Sequence, residues 1–174
     1  ELAITSAGVL TFASAPDYET KSSYTATVTA SDGTNSTTQA ITVNVTNVND
    51  VAPAFTSSTT FSAAENQTAI NTVTASDVDG DNVTFTVSGS ELAITSAGVL
   101  TFASAPDFEA KATYTATVTV SDGTNSTTQA ITVNVTNVNE APTFSSSATF
   151  SAAENQTAIG TVAGNDVDGD NVTF

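Results

Sequence analysis

The chain has 174 residues, and its 18 acidic residues stand against two lysines, which gives a formal net charge of −16. This excess argues against nucleic acid and anionic membranes as partners, because both are bound through Lys and Arg, and it favours cations instead. The absence of Cys and His excludes a disulfide framework, a cysteine-based zinc site and the commonest general base, so any bound ion must be held by oxygen atoms, which suits calcium or magnesium.

The chain repeats itself almost residue for residue. The segment that begins at Glu1 recurs at Glu91, an offset of 90 residues, and the segment that begins at Phe61 recurs at Phe150, an offset of 89. A repeat of this length indicates whole domains in tandem rather than a solenoid of small units.

The repeat divides the chain into three parts. We expect residues 1–50 to be the C-terminal half of one domain, residues 51–140 a complete domain, and residues 141–174 the N-terminal half of another. Two explanations stay open for the halves. Either a longer chain is cut at this point of the repeat, which we favour, or half-domains of adjacent chains complete each other.

The predicted elements are strands. In chain order, residues Asn82–Val87, Tyr114–Val120 and Ile131–Val135 alternate apolar and polar side chains, the pattern of a strand with one buried face. Val and Thr favour strands, and Ser121–Ser126 has the composition of a hairpin turn. About seven short strands per repeat predict an all-β fold of tandem antiparallel Greek-key β-sandwiches.

Most of the acidic residues fall in five short motifs that recur in the same order. The motifs are Ala-Glu-Asn, Asp-aromatic-Glu, Ser-Asp-Gly, a linker of the form Asn-Val-Asn-acid, and Asp-Val-Asp-Gly. Together they supply the carboxylate and amide oxygens that calcium prefers, and calcium takes about 6–8 such ligands. We therefore expect the acidic side chains to gather around a divalent cation.

With these motifs the chain resembles the cadherin repeat, and its Thr-, Ser- and Ala-rich composition is similar to the cadherin-like repeats of large bacterial surface adhesins. The segments AENQ, PDFE, TASDVDG and VTNVNEAPTF stand where that family has its calcium motifs. The resemblance implies an Ig-like or cadherin-like sandwich and an extracellular, cell-surface location. It also implies calcium at each junction, bound by the base of one domain, the linker and the top of the next.

Carried onto this sequence, the resemblance implies two sets of metal ligands. The first junction would use Asp17, Glu19, Asn49, Asp50, Asp77, Asp79 and Asp122. The second would use Glu65, Asp107, Glu109, Asn139, Glu140, Asp166 and Asp168. Asn47 and Asn137 stand where the family has the first linker aspartate, so we expect about one to three ions per junction or weaker binding.

Two other interpretations of the acids fit less well. An EF-hand loop starting at Asp77 would need Gly at its sixth position and Glu at its twelfth, but Gly80 is at the fourth and Ser88 at the twelfth. Paired carboxylates also occur in glycosidases, but here the pair recurs in every repeat, with no His and no Arg. No catalytic residue and no cofactor other than calcium is predicted.

The sequence thus predicts a non-enzymatic extracellular repeat, stiffened by calcium at its interdomain junctions, that acts as a spacer in a long surface adhesin or fibre. Its partners would be calcium ions and neighbouring repeats of the same chain or of like chains. No nucleic acid and no membrane insertion are expected. The alternatives are a binding module that contacts partner cells, matrix or glycans, and a self-assembling extracellular filament completed by half-domain exchange.

Overall fold

The computed structural model describes residues 1–174, which form strands and turns without a helix. The prediction of an all-β fold is confirmed. No helix with the length and hydrophobicity needed to cross a bilayer is present. The strands are β1 (Leu2–Ile4), β2 (Leu10–Phe12), β3 (Ser23–Ser31), β4 (Ser36–Asn44), β5 (Ala54–Phe55), β6 (Thr60–Ala64), β7 (Ala69–Thr72), β8 (Ala75–Ser76), β9 (Thr84–Val87), β10 (Leu92–Ile94), β11 (Val99–Phe102), β12 (Thr113–Ser121), β13 (Ser126–Thr136), β14 (Thr143–Phe144) and β15 (Gly164–Asn165).

The chain divides into two compact units. The first unit comprises Glu1–Thr56, Ala75–Thr84 and Val120–Thr127. Its strands form three antiparallel pairs, β1 with β2, β3 with β4, and β5 with β8. The β3–β4 hairpin is the longest pair and carries an apolar residue at every second position of β3, from Tyr24 to Val28, as expected for a strand that buries one face.

The second unit comprises Ser57–Thr74, Phe85–Thr119 and Thr128–Phe174. It contains a three-stranded sheet in the order β10-β11-β7 and a four-stranded sheet in the order β6-β13-β12-β9, beside the small β14–β15 pair. One pair departs from the antiparallel expectation, because β6 runs parallel to β13. A parallel pair needs a long crossover connection, and here the rest of the repeat supplies it.

The core of this unit lies between the two sheets. Val73, Leu100, Val118 and Val133 have no exposed surface, and burying each such side chain contributes about 1.5–3 kcal/mol before the entropic cost of ordering it. Gly98, just before β11, lies close to the backbone that follows the paired strand β7, since a Cβ built there would lie 2.2 Å from the carbonyl oxygen of Val73.

From Ala54 to Thr136 the structure has nine strand segments, β5 to β13, where the sequence predicts about seven strands per repeat. The excess comes from short interruptions. Only a few residues separate β5 from β6 and β7 from β8. β5 and β6 therefore correspond to one predicted strand interrupted by a bend, and β7 and β8 correspond to another.

Candidate metal centres

The first acidic cluster lies in the first unit. Carboxylate oxygens of Glu19, Asp50 and Asp79 lie within 4.8 Å of one another, and so do those of Asp77, Asp79 and Asp81. Asp79 belongs to both groups. We call these five residues the first cluster; it joins the Asp-aromatic-Glu motif, the linker and the Asp-Val-Asp-Gly turn.

Hydrogen bonds from the linker hold Asp79, the residue that both groups of oxygens share. The N–H of Val51 donates to Asp79 Oδ2 at 3.0 Å, and the side-chain amide of Asn47 donates to the carbonyl oxygen of Asp79 at 2.7 Å. Gly80 follows with a φ of +86°, which turns the chain in a conformation that glycine adopts readily. One oxygen of Asp77, Oδ2, and one of Asp79, Oδ1, remain buried without a hydrogen-bond partner.

The second cluster, which we define as Glu65, Glu109 and Glu140, lies in the second unit. Carboxylate oxygens of these three residues lie within 4.8 Å of one another. Glu65 is the buried member, with 3% of its surface exposed. Its two oxygens accept the backbone N–H groups of Phe108 and Val138, each at 2.8 Å. The carboxylate therefore fixes the Asp-aromatic-Glu segment and the linker at the same time.

The linker residue Glu140 connects this cluster to the next Asp-Val-Asp-Gly turn. The side-chain amide of Asn66 donates to Glu140 Oε1, and the backbone N–H of Glu140 donates to Asp168 Oδ2 at 2.7 Å. Asp166 accepts the N–H of Asp168 at 3.1 Å, and the amide of Asn139 donates to the carbonyl oxygen of Glu140 at 3.0 Å. Glu140 Oε2 and Asp168 Oδ1 are buried without a hydrogen-bond partner.

The pKa values show that like charges crowd together in both clusters. Burial raises the pKa of Glu109 and of Glu140, and the charges of neighbouring carboxylates raise both further. At Glu19 a backbone hydrogen bond lowers the pKa, but burial and the neighbouring Asp79 outweigh it, so the net shift is upward. Raised carboxyl pKa values are typical of acids that share a site without a counter-charge.

Neither lysine supplies that counter-charge. Lys111 pairs with Glu91 at 2.5 Å, and its Nζ lies 4.4 Å from the centre of the Tyr114 ring. Lys21 lies over the ring of Tyr24, at 4.3 Å. These are the only two basic side chains of the chain, so the clusters contain negative charge alone.

Besides Asp166 and Asp168, whose hydrogen bonds are described above, three predicted carboxylate ligands lie outside these groups of oxygens, namely Asp17, Asp107 and Asp122. In each, one carboxylate oxygen accepts the backbone N–H of the residue three positions later, at 3.1, 2.9 and 2.6 Å respectively. For Asp17 the N–H and the hydroxyl of that residue lower the pKa. For Asp122 burial raises the pKa, but backbone N–H groups outweigh it and the net shift is downward. The three aspartates thus hold turns beside the clusters.

Sequence reasoning missed several residues that shape the clusters. Asp81 lay outside the five motifs, although its spacing from Asp77 and Asp79 could have indicated it. Asn66 and Asn47 belong to the Ala-Glu-Asn and linker motifs, but they act by donating hydrogen bonds, a role that the motifs did not indicate. Asn125 likewise donates to the amide oxygen of the predicted ligand Asn49 at 2.7 Å.

Two comparisons of sequence bear on the family. The sequence profile of the family described as bacterial Ig domain matches residues 49–136, half of the chain. Over 84 residues, or 45% of this chain, the sequence is 42% identical to the mouse protein Cadherin EGF LAG seven-pass G-type receptor 1. The match covers 3% of that receptor, so the chain spans a small part of the relative.

Solved cadherin structures match the fold. Protocadherin gammaB7 EC3-6, solved as a cis-dimer, has a TM-score of 0.68 at 23% identity and covers 96% of this chain and 49% of its own. Mouse Cadherin-23 EC22-24 has a TM-score of 0.61 at 26% identity, over 87% and 56%. Drosophila N-cadherin EC1-4 has a TM-score of 0.65 at 25% identity, over 78% and 38%. The expected cadherin-like β-sandwich is confirmed.

Proposed function

This chain belongs to the bacterial Ig domain family, whose domains are non-enzymatic, and we propose that it is a run of extracellular spacer repeats whose junctions are stiffened by calcium. Domains of this family and of the cadherin fold are typical of extracellular surface proteins, which supports a place at the cell surface. In this proposal residues 51–140 form one complete repeat. Residues 1–50 and 141–174 are the C-terminal and N-terminal halves of two others.

The observation that carries the calcium proposal is a set of four carboxylate oxygens that are buried without a hydrogen-bond partner. They belong to Asp77, Asp79, Glu140 and Asp168. A buried polar atom without a partner is costly, and a charged one more so. These atoms lie beside other carboxylates rather than beside a lysine. A hard divalent cation is the partner that fits them, because calcium is bound by several oxygens at about 2.3–2.6 Å.

The proposed ligands are the members of the two clusters and residues that bond to them. At the first junction Glu19, Asp50, Asp77 and Asp79 would hold the ion, joined by Asp81, with Asp17, Asn49 and Asp122 supporting the surrounding turns. At the second junction Glu65, Glu109, Glu140 and Asp168 would hold it, with Asp107, Asn139 and Asp166 in support. Every donor is an oxygen, which favours calcium over zinc or copper.

The linker is where these contacts have a mechanical effect. The N–H of Val51 bonds to Asp79, and the N–H of Glu140 bonds to Asp168, so each linker is tied to the turn that follows β8 or β15. The carboxylates around these bonds repel one another. When bound, calcium would supply the positive charge that balances them. The linker could then change its angle only by separating ligands that share an ion.

A spacer accounts for the near-identity of the repeats better than a dedicated binding module does. The segments that begin at Ser31 and Ser121 share nineteen identical residues, and a ligand site would need only one copy, whereas a rod is lengthened by each one. An isolated repeat that bound cells, matrix or glycans would favour the binding module.

The test is small-angle scattering and thermal unfolding of the chain in calcium and in chelator. We expect calcium to increase the maximum dimension and the melting temperature. Asp79→Ala should remove part of both increases. Glu91→Ala is the control, since it removes the same charge from an exposed ion pair that contributes little. If chelation changes neither the dimension nor the melting temperature, the calcium proposal is wrong.

A further inference from the structure

The two linkers differ in length by one residue, and a second difference accompanies the first. One linker reads Asn-Val-Asn-Asp-Val-Ala-Pro and ends at Pro53, and the other reads Asn-Val-Asn-Glu-Ala-Pro and ends at Pro142. The first linker thus has one residue more, Val51, while its acid, Asp50, has one methylene group less than Glu140. Because the segments on both sides of the linkers are nearly identical, the chain provides its own comparison of the two.

Both linkers make the same backbone hydrogen bond despite their different lengths. The N–H of Val51 donates to Asp79 Oδ2 at 3.0 Å, and the N–H of Glu140 donates to Asp168 Oδ2 at 2.7 Å. In each linker the donor lies two residues before the proline. Counted from the proline, Val51 and Glu140 therefore occupy the same place, which we call the donor position, and Asp50 lies one residue before it.

The aspartate that accepts this bond is held in the same way at both junctions. In Asp79 the Oδ2 atom accepts the linker N–H, and the Oδ1 atom is buried without a hydrogen-bond partner. Asp168 uses the same two atoms in the same way. A hydrogen bond to one oxygen of a carboxylate orients the other oxygen toward a metal, so the linker N–H orients the oxygen that an ion would bind.

The acid of each linker lies at the same covalent distance from the donating nitrogen. The path from the carboxyl carbon of Asp50 runs through Cβ, Cα and the carbonyl carbon to the nitrogen of Val51. The path from the carboxyl carbon of Glu140 runs through Cγ, Cβ and Cα to the nitrogen of the same residue. Both paths have three intervening atoms. In the first and the second cluster respectively, an oxygen of each acid lies within 4.8 Å of those of two other acids.

We infer that the N–H at the donor position is the positioning group of both junctions, and that Asp50 with Val51, or Glu140 alone, holds a carboxylate at the required distance from it. The length of the linker and the length of its acid are therefore matched. An aspartate at the donor position itself would bring its carboxyl carbon one bond nearer to the nitrogen, and its oxygens would not reach the rest of the cluster. The role of this carboxylate as a calcium ligand rests on the proposed function, whereas the hydrogen bond does not.

The experiment breaks this match in the whole chain and then restores it. Deletion of Val51 brings Asp50 to the donor position of the first linker, and Glu140→Asp gives the second linker the same short acid there. We expect each change to weaken calcium binding at its own junction by roughly 10–100-fold, the range typical of losing a group that orients a metal ligand. Isothermal titration calorimetry measures the affinity. Glu140→Asp leaves the chain length unchanged, so it tests the same point if the deletion prevents folding.

Rescue by the reciprocal change distinguishes a matched pair from damage to the linker. Asp50→Glu in the chain that lacks Val51 recreates the second linker, and Glu140→Asp with a valine inserted before Ala141 recreates the first. We expect both to regain the wild-type calcium affinity and the wild-type rise of melting temperature in calcium. Val48→Ala is the control, because it shortens a linker side chain that is 64% exposed, and it should bind calcium as the wild type does.

A second measurement needs no calcium. In chelator, NMR spectra of the backbone amides should show a hydrogen-bonded N–H at Val51 in the wild type and at Asp50 after the deletion, because the donor position is counted from the proline. If the wild type responds to calcium but the broken linkers bind it equally well, or the reciprocal changes fail to rescue them, the matching of linker and acid is wrong and the calcium proposal stands. If the wild type does not respond to calcium, the proposed function is wrong and the matching falls with it.

Discussion

Glu65→Gln, compared with Glu154→Gln, separates the role of the buried carboxylate from the chemistry of the substitution. Both glutamates stand in the same ten-residue sequence, FSAAENQTAI. Glu65 is 3% exposed, whereas Glu154 is exposed. The two variants therefore make the same chemical change in the same local sequence, and only the surroundings differ.

The expected loss follows from the two hydrogen bonds of Glu65. Its oxygens accept the N–H groups of Phe108 and Val138 at 2.8 Å each. Glutamine keeps one acceptor oxygen and turns an NH2 group toward the other N–H. A hydrogen bond to a charged group contributes about 1.5–3 kcal/mol, and a buried N–H left unpaired costs about 1–3 kcal/mol. We expect a total loss of roughly 2–5 kcal/mol, against less than about 0.5 kcal/mol for Glu154→Gln.

Circular dichroism is the assay, because the chain has no Trp to report unfolding by fluorescence. For a domain of about 60–100 residues, each kcal/mol lowers the melting temperature by about 4–8 °C, so a fall of roughly 8–40 °C is expected in calcium. In chelator the fall should be smaller, since removing one of three like charges relieves repulsion in the second cluster. If both variants lower the melting temperature equally, the burial of Glu65 does not account for its role in stability. If Glu65→Gln lowers the melting temperature equally in calcium and in chelator, Glu65 is not a ligand of the metal.

Three further predictions use the same internal comparison or the titration of the clusters. Leu100→Ala should lower the free energy of unfolding by about 2–5 kcal/mol, and Leu10→Ala should lower it by much less. Urea unfolding measures both. Gly98→Ala should unfold the middle repeat, because its Cβ would meet the carbonyl oxygen of Val73 beside the paired strand β7, whereas Gly8→Ala adds only backbone strain at a similar φ. In chelator, the raised pKa values of Glu19, Glu109 and Glu140 make stability rise as the pH falls from neutral toward the ordinary value of 4.5, and the lowered pKa values of Asp17 and Asp122 reverse the trend at lower pH. In calcium the first trend should invert, because protons compete with the ion; thermal melts across pH check both signs.

Local pattern was enough to predict the longest strands. The alternation in Tyr114–Val120 lies within β12 and that in Ile131–Val135 within β13, because each strand buries one face against the core. The parallel pairing of β6 with β13 could not be predicted, since it brings together residues about seventy positions apart. No periodicity within either segment indicates which strand it pairs with.

The candidate site was predictable to the level of motifs but not of atoms. The resemblance to the cadherin repeat placed Glu19, Asp50 and Asp79 in one set, and the structure brings their oxygens together. It could not show that the carboxylates of Asp17 and Asp107 cap their own turns. That choice depends on whether a backbone N–H three residues later is free, which is a property of the folded turn.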